Sequence, residues 1–289
     1  MTDLSEGPVA ILAGSGSLPL RLIGALRANG RACRVLAFRG FAERALRRHA
    51  DAVVDLLDVR RALECLDGWR PAAVTLAGGV TRPRPALAVN AATNAVALWR
   101  NRSEIRHLLS GGDDHVLRAV VTMLEERGFP VIGAHELDPS LLASLGSIGR
   151  HPPDETSREA AVHGVALLAA LSPFDIGQAA VVAGRRVLAV EGPEGTDRML
   201  RRVARQQGGW FSRPAGEGVL VKVAKRGQDL RVDMPAVGPR TFVEAARAGL
   251  KGVAVGAGTT LVLDRAETIA TADRLGLFFV GLPVTGAAP

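Results

Sequence analysis

The stretch VAILAGSGSLPLRLIGALRANG, residues 9–30, decides the fold of the N-terminal part of the chain. An apolar, β-rich run is followed by a glycine-rich turn and then by a helical pattern of leucine and isoleucine. Pro8 precedes the run and cannot donate a backbone hydrogen bond, so we expect the strand to begin at Val9. A strand that leads through a glycine turn into a helix is the first half of a βαβ unit.

The alternation of apolar runs and helical patterns continues through the first third of the chain. The segments that follow predict a strand, a helix and a strand, at ACRVLAF (32–38), ALRRHADAVVDL (45–56) and PAAVTLAGGV (71–80). This succession predicts a parallel sheet with right-handed crossovers, and therefore an α/β fold with a Rossmann-like N-terminal domain. We then expect a long helical region over 86–127, interrupted by GGDD at 111–114, and a strand at 129–135.

Three segments follow from these patterns. Residues 1–135 form the predicted Rossmann-like domain, and residues 136–158, rich in Pro, Gly and Ser without a sustained period, predict a linker. Residues 159–289 predict a second α/β domain. Its expected helices are the runs at 158–172, 196–207, 239–249 and 267–276, and its expected strands are the runs at 178–184, 185–192, 218–225, 252–257, 259–264 and 277–282.

Composition bounds the function. The chain has 289 residues, 47% of them hydrophobic, and carries a formal net charge of +7. No apolar run reaches the roughly 18 residues that a membrane-spanning helix needs, and the N-terminus MTDLSEGP has no signal-peptide pattern, so we expect a cytoplasmic protein. Cys33 and Cys65 are too few for a disulfide framework.

The basic charge suits an anionic partner, but its distribution argues against nucleic acid. The arginines are dispersed among alanines and glycines, and no basic stretch is interleaved with aromatic residues, as it would be in a single-strand binder. Lysine is rare: Lys222, Lys225 and Lys251 are the three in the chain, and two of them lie within one short stretch.

The turn AGSGSLP, residues 13–19, follows the first strand and opens the first helix, where backbone amides favour an anionic group. It departs from the dinucleotide fingerprint because Pro19 stands where the third glycine belongs. The second strand also ends without the acidic residue that would bind a ribose. NAD binding is therefore disfavoured, while a phosphate or sugar near Gly14, Ser15 and Gly16 and a purely structural turn both remain open.

Three further motifs are candidate sites. GGVTRP, 78–83, leaves the third predicted strand at its carboxyl end, where ligands collect in doubly wound sheets, and makes Gly79 and Thr81 candidate substrate-binding residues. In GDDHVLR, 112–118, Asp113 and Asp114 either begin a helix or bind a metal ion or ligand.

EGPEGTDRML, 191–200, is a second glycine turn before a helix. Gly195 and Thr196 are its candidate binding residues, and Thr196 or Asp197 would cap the helix. Glu191, Glu194 and Asp197 also offer hard oxygen ligands for Mg²⁺.

The stretch KVAKRGQDLRVDMP, residues 222–235, holds cations and carboxylates close together. A solvated loop is the usual explanation of such a pattern. Phosphoryl transfer, however, also uses this mixture, with cations for the phosphate oxygens and carboxylates for metal ions or the attacking water.

Taken in order, eight motifs resemble the LpxI-type UDP-2,3-diacylglucosamine pyrophosphatases of lipid A biosynthesis. The resemblance runs from about Val9 to Gly281, and the motifs are AGSGSLP, GGVTRP, GDDHVLR, GAHE, DIGQAAVV, EGPEGTDRML, KVAKRGQDLRVDMPAVG and AGLKGVAVGAG. It implies two domains with the ligand held between them. It also implies an Mg²⁺-dependent hydrolase that cleaves the substrate pyrophosphate to UMP and 2,3-diacylglucosamine 1-phosphate.

In this family the essential acid is the aspartate of an R-V-D-x-P pattern, which corresponds to Asp233. The resemblance implies that water attacks the phosphorus on the sugar side. Asp233 would bind Mg²⁺ or orient the water, and the assisting carboxylates would be Asp229 with one or more of Asp113, Asp114, Glu194 and Asp197. The remaining expected contacts are Lys222, Lys225 and Arg231 for the pyrophosphate oxygens and Gln228 as a supporting polar group.

The implied substrate is an amphipathic, lipid-linked nucleotide sugar, so transient contact at the cytoplasmic face of the inner membrane is expected. The candidate apolar surfaces are LLASLGSI (141–148) and GLFFVGLP (276–283), although core packing is the expected fate of most of their side chains, and a homodimer is left open. Two alternatives remain. One is an NADP-dependent oxidoreductase in which Arg39 accepts the 2′-phosphate, and the other is a non-catalytic nucleotide-sugar or lipid-binding protein.

Overall fold

The computed structural model describes residues 7–80, 113–205 and 218–284, which divide into two compact units. Unit 1 runs to Asp138 and also includes Arg231–Asp233, while unit 2 comprises Pro139–Leu230 and the chain from Met234 onwards. The division therefore differs from the predicted domains, because three residues of the predicted C-terminal domain belong to the N-terminal unit.

Residues 136–158, predicted as a linker, are instead structured. They contain a 3-10 turn at Pro139–Leu141 and a strand at Gly146–Ser147 that pairs with the last strand of unit 2. The backbone N–H of Ile148 donates to the carbonyl of Phe279 at 2.8 Å. Pro, Gly and Ser serve tight turns and a short edge strand as well as they serve a linker, so composition alone did not separate the two.

Unit 1 is built on a four-stranded parallel sheet in the order β3-β2-β1-β4. The strands are β1 (Val9–Ala13), β2 (Cys33–Phe38), β3 (Ala52–Val54) and β4 (Ala73–Ala77). The helices among its described residues are α1 (Leu18–Ala28), α2 (Arg44–Arg47), α3 (Val59–Trp69), α4 (Asp113–Glu126) and α5 (Ala134–Leu137). The first strand begins at Val9 as predicted, and the parallel sheet is confirmed. The order reverses between β1 and β4, as at the switch point of a doubly wound sheet.

The segment ALRRHADAVVDL was wrongly predicted as one helix. It forms the single turn α2 and then the strand β3. Asp51 separates them: its carboxylate accepts a hydrogen bond from the Val35 backbone N–H at 2.8 Å and from Arg34 Nη1 at 2.7 Å, which sets the start of β3 beside β2. The β-branched pair Val53 and Val54 then favours the extended backbone.

The predicted strand at 129–135 forms one isolated parallel bridge, between Val131 and Val74, before α5 begins. Of the long helical region predicted over 86–127, the structure describes α4. Of the interruption predicted at 111–114, residues 113 and 114 begin α4, and residues 111 and 112 lie outside the described residues.

Unit 2 is built on a six-stranded mixed sheet in the order β5-β12-β10-β8-β6-β7. Its strands are β5 (Gly146–Ser147), β6 (Ala179–Ala183), β7 (Arg186–Val190), β8 (Val219–Lys222), β10 (Gly252–Gly256) and β12 (Phe278–Leu282). Two short strands, β9 (Ala236–Val237) and β11 (Leu261–Val262), pair separately. The helices are α6 (Glu155–Leu171), α7 (Thr196–Arg205), α8 (Pro239–Arg247) and α9 (Arg265–Arg274). The predicted α/β character of the second domain is confirmed.

Helices cover both faces of the unit 2 sheet. Helix α6 packs on one face through residues such as Ala160 and Leu168, and α7, α8 and α9 pack on the other. On that second face Phe242 and Phe279, both fully buried, meet edge to face with ring centroids 4.8 Å apart. This packing fixes the strand ends that carry the candidate site.

Of the two candidate apolar surfaces, GLFFVGLP is largely interior, whereas residues 144–147 of LLASLGSI are exposed. GLFFVGLP contains β12, whose phenylalanines are buried, and in LLASLGSI the side chain of Leu141 is fully buried. Leu145 is the exposed large apolar side chain of that segment, at 67% exposure. Within the described ranges, no helix combines the length and hydropathy that crossing a membrane would require.

Candidate functional site

In unit 1 the structure brings together the two glycine turns that follow β1 and β4. The backbone N–H of Ser15 donates to the Gly79 carbonyl and that of Gly79 donates to the Ser15 carbonyl, both at 2.9 Å. The Ser15 hydroxyl also donates to the Gly79 carbonyl, at 2.8 Å. The predicted residues Gly14, Ser15, Gly16 and Gly79 therefore lie at the switch point of the sheet, while Thr81 lies outside the described residues.

The approach of these turns explains the glycine at position 14. A Cβ added to Gly14 would lie 2.5 Å from the carbonyl oxygen of Gly79. Gly16, in contrast, has φ of +93° and open space around its Cβ position. A structural role thus accounts for some residues of this turn, and an anion-binding role stays open for another. Ser15 and Gly14 join the strands, and Gly16 precedes α1, whose N-terminus favours an anion.

The tripeptide Arg231–Asp233 is part of unit 1. Arg231 Nη1 donates to Glu125 Oε1 at 2.6 Å and to the Val131 carbonyl at 3.3 Å, and Val232 packs against the core of the unit 1 sheet. Asp233 follows directly and is partly buried. The guanidinium predicted to bind pyrophosphate therefore also anchors the segment that carries Asp233.

Beside this segment lies His135, on the short helix α5. A Cβ added to Gly133 would lie 2.6 Å from His135 Nδ1 and 3.2 Å from the Cα of Arg231. Burial lowers the pKa of His135 below its ordinary value, and the nearby Glu136 opposes this shift. A lowered pKa favours the neutral imidazole at pH 7.

In unit 2 the candidate residues lie at one edge of the sheet. Strands β8, β10 and β12 are parallel, so their carboxyl ends share that edge. Strand β6 runs antiparallel to β8, and β7 antiparallel to β6, so the start of β6 and the end of β7 lie there too. Lys222, the last residue of β8, sits opposite Ala179 and Val255 in the ladder.

A chain of hydrogen bonds starts at Lys222. Its Nζ donates to Thr196 Oγ1 at 2.9 Å, and Thr196 Oγ1 donates to Glu191 Oε1 at 2.6 Å. Glu191 Oε2 accepts from the backbone N–H of Gln178 at 2.9 Å. The predicted residues Lys222 and Thr196 are thus in contact, next to Gly195, whose φ of +82° turns the chain into α7.

The loop after β8 is fixed by its own polar contacts. Lys225 Nζ pairs with Asp175 Oδ1 at 2.5 Å, and the Lys225 side chain is 15% exposed. Gln228 Oε1 accepts from the Lys225 backbone N–H at 2.9 Å, and Ser172 Oγ accepts from the N–H of Arg226 at 3.1 Å. Lys225 and Gln228 therefore shape the loop, whereas Lys222 has no carboxylate partner among the described residues.

Two of the predicted metal ligands, Glu194 and Asp197, lie in unit 2, and each has an arginine partner there. Glu194 pairs with Arg202 at 2.9 Å and Asp197 pairs with Arg240 at 2.8 Å, so both carboxylates already hold a cation. Asp113 and Asp114 begin α4, but their side chains lie outside what the structure describes. Among the described residues, no three His, Cys, Asp or Glu side chains form a group that could hold a metal ion.

Two further carboxylates take part in the site: Asp175, which the sequence analysis did not single out, and Glu191, which it considered as an oxygen ligand. Asp175 neutralises Lys225, and Glu191, weighed at first as a metal ligand, instead lies behind Thr196. The sequence feature that could have indicated the burial of Glu191 is its position directly after the apolar strand β7, because a side chain at the end of a strand lies close to the neighbouring strand. Its exposure is 9%.

A Rossmann-like unit with the strand order β3-β2-β1-β4, followed by a second α/β unit, places the chain in the class of two-domain α/β proteins. The model of the LpxI N-terminal domain matches residues 8–141, and that of the LpxI C-terminal domain matches residues 144–280. The chain belongs to the LpxI family. It is similar to the UDP-2,3-diacylglucosamine pyrophosphatase LpxI of Caulobacter vibrioides, with 36% identity over 95% of this chain and 97% of that protein.

Proposed function

We propose that this protein hydrolyses the pyrophosphate bond of UDP-2,3-diacylglucosamine to give UMP and 2,3-diacylglucosamine 1-phosphate. The observation that carries the proposal is the match to the Caulobacter pyrophosphatase, which extends over 95% of this chain and includes both family domains in order. The local chemistry supports it: the ammonium of Lys222 is held at a strand end without a carboxylate partner among the described residues, as a ligand for phosphate oxygens should be.

In the proposed reaction a water oxygen forms a new bond to the phosphorus on the sugar side. The bond from that phosphorus to the bridging oxygen breaks, and UMP departs with the bridging oxygen. Asp233 orients the water or takes its proton, and Lys222 stabilises the charge that develops on the phosphate oxygens. Asp229 is the assisting carboxylate nearest in sequence.

Magnesium dependence is part of the proposal, with Asp233 as the ligand. Because Glu194 and Asp197 are paired with arginines, they do not fit a ligand role as they stand, and Asp113 or Asp114 remains the candidate partner of Asp233. When bound, Mg²⁺ would neutralise charge on the pyrophosphate oxygens. Chelation with EDTA should abolish UMP release and added Mg²⁺ should restore it. Full activity in EDTA would refute the metal requirement.

The test of the function is UMP release from UDP-2,3-diacylglucosamine by the wild-type protein and by Asp233→Asn, in ¹⁸O-labelled water. We expect the label in 2,3-diacylglucosamine 1-phosphate and a loss of about 100-fold or more in the variant, the usual contribution of a positioned acid or base. Asp67→Asn is the matched control, because Asp67 is an exposed unit 1 carboxylate paired with Arg127, and it should retain activity. Label in UMP, or normal turnover by Asp233→Asn, would contradict the proposed mechanism.

We further propose transient contact with the cytoplasmic face of an anionic membrane, because the substrate carries two acyl chains. The net charge of +7 suits such a surface, and Leu145 is an exposed apolar residue in unit 2. Co-sedimentation with anionic vesicles at low salt should exceed that with neutral vesicles. Background binding to both would remove this proposal.

Association as a homodimer is tested by light scattering, in which a mass close to 30.3 kDa would exclude it.

A further inference from the structure

The carboxylate of Glu191 is buried without a direct cationic partner among the described residues. Both of its oxygens accept hydrogen bonds, one from the Thr196 hydroxyl at 2.6 Å and one from the Gln178 N–H at 2.9 Å. Among the described residues the other buried carboxylate is that of Glu244, which is instead paired directly with arginines, at 3.4 Å from Arg201 and 3.1 Å from Arg247. Burying a charge is costly unless its environment complements it, so this arrangement calls for an explanation.

The ammonium group of Lys222 is connected to the Glu191 carboxylate through the Thr196 hydroxyl, which hydrogen-bonds to both. Lys222 Nζ donates to Thr196 Oγ1 at 2.9 Å, and the Thr196 hydroxyl donates its own hydrogen bond to Glu191 Oε1. Because that proton points to Glu191, the lone pairs of Thr196 face the ammonium. The carboxylate thereby sets the direction of the whole chain.

The intervening hydroxyl has a chemical consequence for Lys222. A direct ion pair would place a carboxylate against the ammonium and compete with an incoming anion. A neutral hydroxyl acceptor occupies one of the three ammonium donors and leaves the others available. Lys222 is thus held in position but is not neutralised.

We propose that Glu191 is a positioning residue, which acts through Thr196 to hold the Lys222 ammonium where the diphosphate of the substrate binds. This inference rests on the proposed function for the identity of the anion. The positioning of Lys222 by Glu191 is independent of it. Glu191 touches neither substrate nor reacting atoms in this role.

The substitution Glu191→Gln keeps the size of the side chain and changes its hydrogen-bonding groups, so it tests the positioning role without creating a cavity. A carboxylate offers two acceptor oxygens, and both are occupied here by donors. A glutamine amide offers one acceptor and one NH₂ group, so either Thr196 or the Gln178 N–H must then face a donor. If the NH₂ group faces Thr196, the hydroxyl proton must turn away from residue 191 and competes with the ammonium; if it faces the Gln178 N–H, the contact that orients the side chain of residue 191 is lost.

The rarity of lysine makes a direct measurement possible. With three lysines in the chain, ¹³Cε-labelled lysine gives three sets of side-chain signals, assigned by Lys→Met variants. In the wild type the two Cε protons of Lys222 should have different chemical shifts because the side chain is held. They should merge in Glu191→Gln and in Thr196→Val, and stay distinct in Thr196→Ser. Lys251, which pairs with Asp154 elsewhere in unit 2, serves as the internal reference.

The kinetic test is a double-mutant cycle on UMP release. Glu191→Gln should lower kcat about 10-fold to 100-fold, the cost expected for a displaced catalytic group. In a Lys222→Met background the same substitution should add less than about twofold, because its effect passes through Lys222. Glu244→Gln is the matched control: it also removes a buried unit 2 carboxylate, 4% exposed, and should leave both the Lys222 signals and kcat unchanged.

The outcomes are decisive in either direction. Merged Lys222 signals together with a cycle that is not additive would support positioning. Distinct Lys222 signals in Glu191→Gln, or equal losses with and without Lys222, would overturn it. If Glu191→Gln does not fold, Thr196→Val decides by the same signals. A wild-type protein that releases no UMP would remove the proposed function, whereas the NMR result would still decide whether Glu191 holds Lys222.

Discussion

Asp154 contributes to stability through each of its two oxygens, and substitution can separate the contributions. It is the N-cap of α6, where its Oδ1 accepts from the Ser157 backbone N–H at 2.8 Å. Its Oδ2 accepts from Lys251 Nζ at 2.7 Å. Asp154→Asn keeps an oxygen for the cap and removes the charge, while Asp154→Ala removes both contacts.

The structure sets the size of each loss. An N-cap contact is worth about 1 kcal/mol. The ion pair is worth about 0.5 kcal/mol, because its side chains are 52% and 40% exposed and solvent screens the charges. We therefore expect Asp154→Ala to lower the free energy of unfolding by about 1.5 kcal/mol and Asp154→Asn by about 0.5 kcal/mol.

The two variants should also differ in their pH dependence. The hydrogen bonds from Lys251 and then Ser157 lower the pKa of Asp154 below its ordinary value of 3.8. A carboxyl with a lower pKa in the folded state stabilises the fold above its unfolded pKa, and this contribution fades as the pH falls from there toward the folded pKa. The advantage of the wild type over Asp154→Asn should thus be constant near neutral pH and shrink below pH 3.8.

Urea unfolding followed by far-ultraviolet circular dichroism measures these differences. Lys251→Met is the control for the ion pair: it should match Asp154→Asn, and combining the two should cost no more than either alone. If Asp154→Asn proves as destabilising as Asp154→Ala, the separation of cap from ion pair is wrong. The same conclusion follows if Lys251→Met leaves the stability unchanged.

Two further predictions concern the two faces of the unit 2 sheet. Gly164→Ala in α6 should be destabilising although alanine favours helix by about 1 kcal/mol, because its Cβ would lie 2.5 Å from Val221 Cγ2, and overpacking costs about 1–3 kcal/mol. A higher urea midpoint for this variant would contradict the close packing. Phe242→Leu should lower stability by about 1 kcal/mol through loss of the aromatic pair with Phe279, and Phe242→Ala by about 3–5 kcal/mol. Thermal unfolding checks both, and a Leu variant as costly as the Ala variant would refute the assigned size of the pair.

Much of the fold could be predicted because the spacing of apolar residues along the sequence distinguishes helices from strands. The glycine turn after β1 and the first helix were correct, and so were the unit 2 strands β6, β7, β8, β10, β11 and β12, whereas the two-residue strands β5 and β9 were missed. Strand β3 was missed because three residues are too few to show a period. The turn at Asp51 depends on contacts with Val35 and Arg34, which sequence proximity does not reveal.

The site was harder to predict because its contacts depend on which strands are neighbours. Gln178 and Glu191 flank the β6–β7 hairpin, 13 residues apart, whereas Lys222 is more distant in the chain and comes close through the pairing of β6 with β8. The carboxylates Glu194 and Asp197 matched the chemistry of a magnesium site. A sequence pattern cannot show that each has an arginine beside it in the fold.

The assignment of Arg231–Asp233 to unit 1 has a consequence for synthesis on the ribosome. When Asp138 has been made, the N-terminal unit still lacks Val232, which completes its apolar core, and Arg231, which pairs with Glu125. Almost a hundred residues must be translated before those groups exist. A fragment that stops at Asp138 is therefore expected to be less stable than unit 1 within the full chain, and a synthetic peptide containing Arg231–Asp233, added in trans, should raise its melting temperature.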